Sequence, residues 1–251
     1  MSDEREKLKS VGKCIFCGKE FAKAGISRHL TSCKARQAKN EEVAVGSKGK
    51  PVPLYHLAIL GTYANMYWMH LEMPASAKLG TLDQFLRDMW LECCGHLSQF
   101  IVGNIHYSVM PNDDADFGYF GFAARFEEKS MNFALSKAVK PGDTFHHEYD
   151  FGTTTDLTLK VMAEHIGVPH TKDIFIMSRS EAPAITCEIC KQKPATHICS
   201  DCYYDEPNWF CADCAKKASE EDGDKYFLPV VNSPRVGQCG YTGDVEWEQD
   251  F

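Results

Sequence analysis

No run of about 18 apolar residues occurs anywhere in the 251-residue chain, so the sequence offers no membrane-spanning helix. The opening stretch, MSDEREKLKS, is charged and has no apolar segment, so no export signal is expected there. Basic charge is scarce beyond residue 50. That part holds fifteen Lys and Arg against twenty-nine Asp and Glu, a net −14, whereas residues 1–50 hold twelve against six, a net +6. Only the N-terminal segment therefore has the sign of a nucleic-acid partner, and an acidic body also keeps a protein soluble. Catalytic fingerprints are missing too: the chain has no P-loop, GxGxxG, GxSxG or HExxH. His96 with Asp150 is the remaining candidate acid–base pair. In the run His146-His147-Glu148, neighbours on a strand point to opposite faces. An enzyme, metal-dependent if any, is the least favoured reading.

What the chain has in excess is cysteine, twelve in all. A disulfide framework suits small secreted domains, so a chain of this length without an export signal is expected to be cytoplasmic, with thiols or thiolates. Three Cys-x-x-Cys pairs fall between Cys187 and Cys214: Cys187/Cys190, Cys199/Cys202 and Cys211/Cys214. Two intervening residues let both sulfurs face one point, and soft thiolates at this spacing suit tetrahedral zinc. Near the N-terminus, Cys14, Cys17, His29 and Cys33 form C-x2-C…H-x3-C, with Phe21 and Ile26 between them. Two or three Zn2+ per chain are expected.

The N-terminal pattern resembles the two-Cys two-His finger family, with Cys33 in place of the second His. The resemblance implies a ββα unit with Phe21 and Ile26 as its small core. It also sets the base-reading positions at Ala22, Gly25 and Arg28. Ala and Gly cannot contact a base edge in two places, and one finger spans only about 3 bp, so specific DNA reading by this finger alone is not expected. Phosphate contact through Lys19, Lys23, Arg28, Lys34 and Arg36, or contact with a protein, remains open. The three C-terminal pairs resemble the interleaved B-box and MYND modules, which need eight ligands. Pairs one and three complete one site, Cys187, Cys190, Cys211 and Cys214. A second site would draw on Cys199, Cys202 and Cys239, with His197 as a further candidate.

Between these clusters, residues 37–52 are polar and aperiodic and read as a linker. The main domain spans 53–182. Leu54–Leu60 and Met66–Met73 read as strands, the second with Tyr67, Met69, Leu71 and Met73 on one face. Thr81 to about Cys94 reads as a helix opened by a Thr81/Gln84 capping box, with an apolar stripe at Leu82, Phe85, Leu86, Met89 and Trp90. Cys93 and Cys94 fall in its last turn and are expected to be plain thiols, because adjacent cysteines rarely share a metal. Phe100–Val109, Gly118–Phe126, a hairpin of Thr144–Phe151 with Thr155–Met162, and Ile174–Met177 read as strands, and Met131–Val139 as a short helix. The fold class is α+β: a two-layer core of a mainly antiparallel sheet with one long amphipathic helix, flanked by two small zinc modules at 13–36 and 183–220. Residues 1–12 read as a charged tail, and 221–251 as a tail packing back.

Within the main domain, Tyr67-Trp68 with Leu71 and Met73-Pro74, Thr81-Leu82, Gly95-His96-Leu97-Ser98-Gln99-Phe100, and Glu148-Tyr149-Asp150-Phe151-Gly152 follow one another in order. This series resembles the plasmid pRiA-four-b open-reading-frame-three-like family over roughly residues 53–180. The resemblance implies an α+β domain found in mobile elements and prokaryotic chromosomes, with no assigned activity. Thr153, Thr154 and Thr155, and Met69 and His70, depart from the family pattern, so no charged site is carried over. The expected function is that of a non-enzymatic, zinc-binding adaptor or regulator meeting a protein partner through its zinc modules. The alternative is a mobile-element-derived protein that meets DNA or RNA through residues 13–36.

Overall fold

A computed structural model describes residues 10–46, 49–111, 127–202 and 208–243. The expected strand over Gly118–Phe126 and most of the acidic turn before it lie outside these residues.

Two short strands, β1 (Val11–Cys14) and β2 (Glu20–Ala22), form a hairpin around the first cysteine pair. Helix α1 (Lys23–Ser32) follows, completing the expected ββα unit. The polar stretch read as linker continues as a helix, α2 (Lys34–Gly46). It is rich in good helix formers and has no fully buried residue, and its N-terminal half is held by Ala35 against the finger's cluster and by Arg36. The apolar runs of the main domain form β3 (Val52–Gly61) and β4 (Trp68–Pro74), paired from Leu54 opposite Pro74 to Leu60 opposite Trp68. Next come α3 (Leu79–Leu86), β5 (Ser98–Val102), β6 (Ile105–Ser108), β7 (Glu127–Ser130) and the short α4 (Leu135–Ala138). The hairpin of β8 (Thr144–Tyr149) and β9 (Thr155–Gly167), then β10 (Phe175–Ser180), complete the domain.

These strands make one ten-stranded sheet in the order β2-β1-β10-β4-β3-β9-β8-β5-β6-β7. All pairs are antiparallel except β6 with β7. The fold is therefore α+β with a large, mainly antiparallel sheet. The apolar stripe of α3 packs on one face against Met69, Leu71, Met73, Phe145 and Leu159. The helix starts at Leu79, before the Thr81 capping box, and Thr81 donates its N–H to the carbonyl of Lys78. It also ends earlier than periodicity suggests, in a π-helical turn over Arg87–Leu91. Met89, Trp90 and Leu91 are consecutive and all buried, which a regular α-turn cannot arrange on one face.

The second face of the sheet is where the finger docks. Strand β1 pairs with β10, Gly12 opposite Ser180 and Cys14 opposite Ser178, so the hairpin extends the domain's own sheet. Ile26 and Leu30 of α1 pack with Trp68, Phe175 and Met177. Trp68, His70 and Glu72, the second face of β4, are thereby buried. Arg36 donates to Glu72 at 2.8 Å and to the carbonyl of Leu30 at 3.1 Å, and His165 Nε2 lies 3.3 Å from the same carboxylate. Arg36 is thus committed to the finger–domain junction and withdrawn from the phosphate contacts expected of it. His56 Nε2 and His70 Nδ1 lie 2.8 Å apart in the same layer.

A separate three-stranded sheet, β11 (His197–Cys199), β12 (Trp209–Phe210) and β13 (Phe227–Pro229), with α5 (Ala212–Glu221), makes the C-terminal module. Among the described residues its buried apolar side chains are few: Ile198, Phe210, Ala215 and Leu228, with Cys187, Cys199 and Cys211.

Gly12 allows the close approach of β1. A Cβ there would run into the carbonyl of Arg179 and lie 2.7 Å from the Trp68 ring. Gly12→Val should cost on the order of 2 kcal/mol and lift hydrogen-exchange protection from the Ser178–Ser180 amides; unchanged protection would show that the finger is not held this way. Burial and repulsion from His70 push His56 down to about 2, and burial pushes His70 down to about 4. The unfolded chain then takes up protons first as pH drops below about 6.5. Stability is full above that value and falls toward pH of about 4, by at most about 1.4 kcal/mol per unit for each histidine. His56→Gln with His70→Gln should flatten this limb in urea titrations; an unchanged slope would contradict the assignment.

Candidate metal centres

Three groups of soft ligand atoms stand out, each with four atoms within 4.8 Å of one another: Cys14/Cys17/His29/Cys33, Cys187/Cys190/Cys211/Cys214 and Cys93/Cys94/His96/Cys239. Each could hold a metal ion.

In the first group the sequence places two sulfurs on the β1–β2 turn and two ligands on α1. Gly18 follows the second cysteine with φ 68° and donates its N–H to Cys14 O at 2.8 Å. Cys14 Sγ lies 4.0 Å from Cys33 Sγ, and Cys17 Sγ 3.3 Å from His29 Nε2. Phe21 stacks on the His29 ring at 3.9 Å. Burial and nearby Lys19 push His29 below its ordinary value, which favours the neutral, metal-binding imidazole. Burial pushes Cys14 up to about 11 although the amides of Cys17 and Phe16 point at its sulfur.

The second group repeats this turn. Lys191 follows Cys190 with φ 53°, and its N–H reaches Cys187 O at 2.9 Å. Cys190 and Cys211 sulfurs are 3.9 Å apart, and Cys211 caps α5, so Cys214 comes from its first turn. At Cys187 burial opposes ionisation, but the amides of Cys190, Cys211 and Ile189 prevail and bring the thiol down to about 6.

The remaining C-terminal candidates do not assemble as expected. Cys199 and Cys202 are joined in a disulfide, which corrects the expectation of free thiolates, and the other ten cysteines are free. Cys239 is not beside them. It lies against the main domain, 3.8 Å from Cys94 Sγ and 3.2 Å from His96 Nε2. His197 Nδ1 pairs with Thr196 Oγ1 at 2.8 Å instead. Without Cys239 the second pair has too few partners for a four-ligand site.

Cys93 and Cys94, expected to be plain thiols, belong to the third group. They follow the end of the π-helical turn at Glu92, their sulfurs lie 3.6 Å apart, and Gly95, with φ 78°, turns the chain so that His96 Nε2 comes within 2.9 Å of Cys94 Sγ. Tyr149 joins the flanking segments: it accepts the N–H of Cys93 at 3.4 Å and of His96 at 3.3 Å and donates to Glu92 at 3.0 Å. The proposed acid–base partners His96 and Asp150 meet here at 3.4 Å. Asp150 is tied to Arg235, a residue with no signal in the sequence beyond its charge. The Arg235 guanidinium is fully buried and donates to Asp150 Oδ2 at 2.7 Å, Thr155 Oγ1 at 3.0 Å, Thr153 O at 3.1 Å and Cys93 Sγ at 3.4 Å. Burial would raise the Asp150 carboxyl, but Arg235 and the amides of Thr153 and Gly152 hold it below the ordinary range. His147, in contrast, is buried at 2.7 Å from Asp83, and His146 faces outward.

The base-reading positions Ala22, at the end of β2, and Gly25 and Arg28, on α1, are exposed, as are Lys19 and Lys34, whereas Lys23 is half-buried and donates to the carbonyl of Asn65 at 3.3 Å. No helix among the described residues is long and apolar enough to cross a membrane.

No family model matches the chain, and no curated protein matches it. Among solved structures, a protein of unknown function from Methanosarcina mazei Go1 is similar at a TM-score of 0.41 and 14% identity, over 55% of this chain and 72% of that one. Likeness at this level defines neither a family nor an activity.

Truncating one partner of a buried ion pair leaves the other uncompensated. Arg235→Met should therefore destabilise the protein by about 3–5 kcal/mol in chemical denaturation, and Asp150→Asn added to it should recover part of that loss. Equal losses in single and double variants would mean that the guanidinium acts through packing alone.

Proposed function

We propose that the protein is a zinc-stabilised interaction scaffold, in which zinc at the Cys14 and Cys187 groups folds two small modules and a protein partner is met at the C-terminal one. The observation that carries the reading is the spacing of the ligand atoms. Tetrahedral zinc with bonds of about 2.3 Å to sulfur sets its thiolates about 3.8 Å apart. The sulfurs of Cys14 and Cys33 lie 4.0 Å apart and those of Cys190 and Cys211 3.9 Å, close to that tetrahedral edge. Each group also has the same left-handed residue after the second cysteine, which turns amides toward sulfur. Four protein ligands leave no place for a reacting water, which favours a structural role. The main domain is read as plasmid pRiA-four-b open-reading-frame-three-like on the stretches named above.

The C-terminal module exposes Ile189 on its cysteine turn and Tyr226 beside β13, apolar side chains suited to a protein partner. Nucleic acid is the second reading, supported by exposed Lys19, Arg28 and Lys34 but weakened by the commitment of Arg36 to Glu72.

Removal of zinc by a chelator should raise hydrogen exchange throughout residues 185–215, since structural zinc supplies on the order of 10–16 kcal/mol that so small a core cannot replace. The far-UV signal of the main sheet should largely persist. Unchanged exchange in 185–215, or collapse of the whole protein, would contradict the proposal. For the nucleic-acid reading, Lys19→Glu with Arg28→Glu should abolish binding that weakens steeply with salt; binding indifferent to both would exclude that surface.

A further inference from the structure

We propose that Cys93, Cys94, His96 and Cys239 form a third zinc site, which clasps the C-terminal segment to the main domain. This shares with the reading above only the affinity of thiolates for zinc; its ligands and its role are separate.

The ligand geometry fits. Cys93 and Cys94 sulfurs are 3.6 Å apart, Cys94 and Cys239 3.8 Å, and His96 Nε2 lies 2.9 Å from Cys94 and 3.2 Å from Cys239. These approximate the edges of one tetrahedron, the sulfur–nitrogen ones running short. Ligands 145 residues apart in the chain are brought to this point. The objection to adjacent cysteines is that neighbouring side chains usually diverge; here their sulfurs lie 3.6 Å apart, and the turn at Gly95 brings His96 back to within 2.9 Å of Cys94.

The surroundings are those of a metal-binding thiolate. Arg235 donates to Cys93 Sγ from a fully buried position, as the outer partners of metal ligands do. With the three sulfurs ionised, as metal binding requires, they and Asp150 outweigh one guanidinium, and a divalent cation offsets that excess. Asp150 Oδ2, 3.4 Å from His96 Nε2, stands beside the site. Backbone strain converges on it as well. Among the described residues, three non-glycine residues have positive φ; Asp150 at 66° and Cys239 at 47° are two of them. Such strain persists where surrounding interactions over-determine it.

The clasp has a structural consequence. The segment bearing Cys239 is anchored on the domain side by Ser233 Oγ donating to Trp90 O at 2.6 Å and by Thr155 Oγ1 donating to Gln238 Oε1 at 3.1 Å. On its other side Gly237 lies against the C-terminal module, where a Cβ would come 2.7 Å from Ile198 Cδ1. A metal at Cys239 thus fixes a strap that touches both bodies, and its occupancy sets how firmly the module is held.

The test is zinc content by elemental analysis and native mass spectrometry on the full chain purified without chelator, beside Cys239→Ser and Cys94→Ser. Both residues are exposed, so serine is compatible with the fold. We expect one zinc fewer in each variant than in the native protein, with the two other groups still loaded. Native protein should also resist alkylation at Cys94 and Cys239, and Cys239→Ser should show faster hydrogen exchange across residues 233–241. Equal zinc in native protein and variants would overturn the site while leaving the other two intact. No zinc in any of the three proteins would overturn both readings. Rapid alkylation of Cys94 and Cys239 in zinc-loaded protein, or a disulfide between them in the peptide map, would overturn the clasp alone.

Discussion

Four soft ligand atoms held within 4.8 Å of one another, three times over, are the constraint on which the small parts of this protein depend. As thiolates they would repel, and burying such charge without a counter-charge is costly. A cation at the centre turns that repulsion into the strongest local attraction. The C-terminal module would gain most from it, since among the described residues its buried apolar side chains are few: Ile198, Phe210, Ala215 and Leu228 beside its cysteines. The main domain does not: Leu57, Met69, Leu71, Trp90, Phe100 and Leu159 fill a core of ordinary size.

The finger lies between these extremes. Its hairpin takes backbone hydrogen bonds from β10, and its helix buries Ile26 and Leu30 on Trp68, so the sheet holds it apart from any metal at its ligand group. That placement limits what the finger can do. Arg36 and Glu72 form a mostly buried pair beneath it. Such a pair adds little stability over apolar residues but penalises misalignment of the finger on the sheet. The face left to a partner is the one with Ala22, Gly25 and Arg28, which is small and carries a single guanidinium.

Much of this was legible in the sequence where signals are local. A Cys-x-x-Cys pair states its own geometry, and the stripe Leu82, Phe85, Leu86, Met89 and Trp90 announced a helix that does pack on a sheet. The alternation in β4 showed two faces, but nothing local says that the second is roofed by the finger. The third ligand group was hidden for the same reason. Cys93, Cys94 and His96 sit at the end of a helix whose π-helical turn has no sequence marker, and Cys239 comes from a tail expected to pack back, with nothing local to say on which residues. Arg235 stands in no local motif; only the fold shows it fully buried against Asp150. Pairing by sequence proximity sent Cys239 to Cys199 and Cys202, which instead bond to each other.

The central claim is that these cysteines fold the small modules by binding zinc, and zinc X-ray absorption on the purified full chain tests it most directly. The account predicts a first shell dominated by sulfur at about 2.3 Å with a minor nitrogen component at about 2.0 Å. A shell of oxygen and nitrogen alone, or residues 185–215 that keep their hydrogen-exchange protection with no zinc bound, would contradict it.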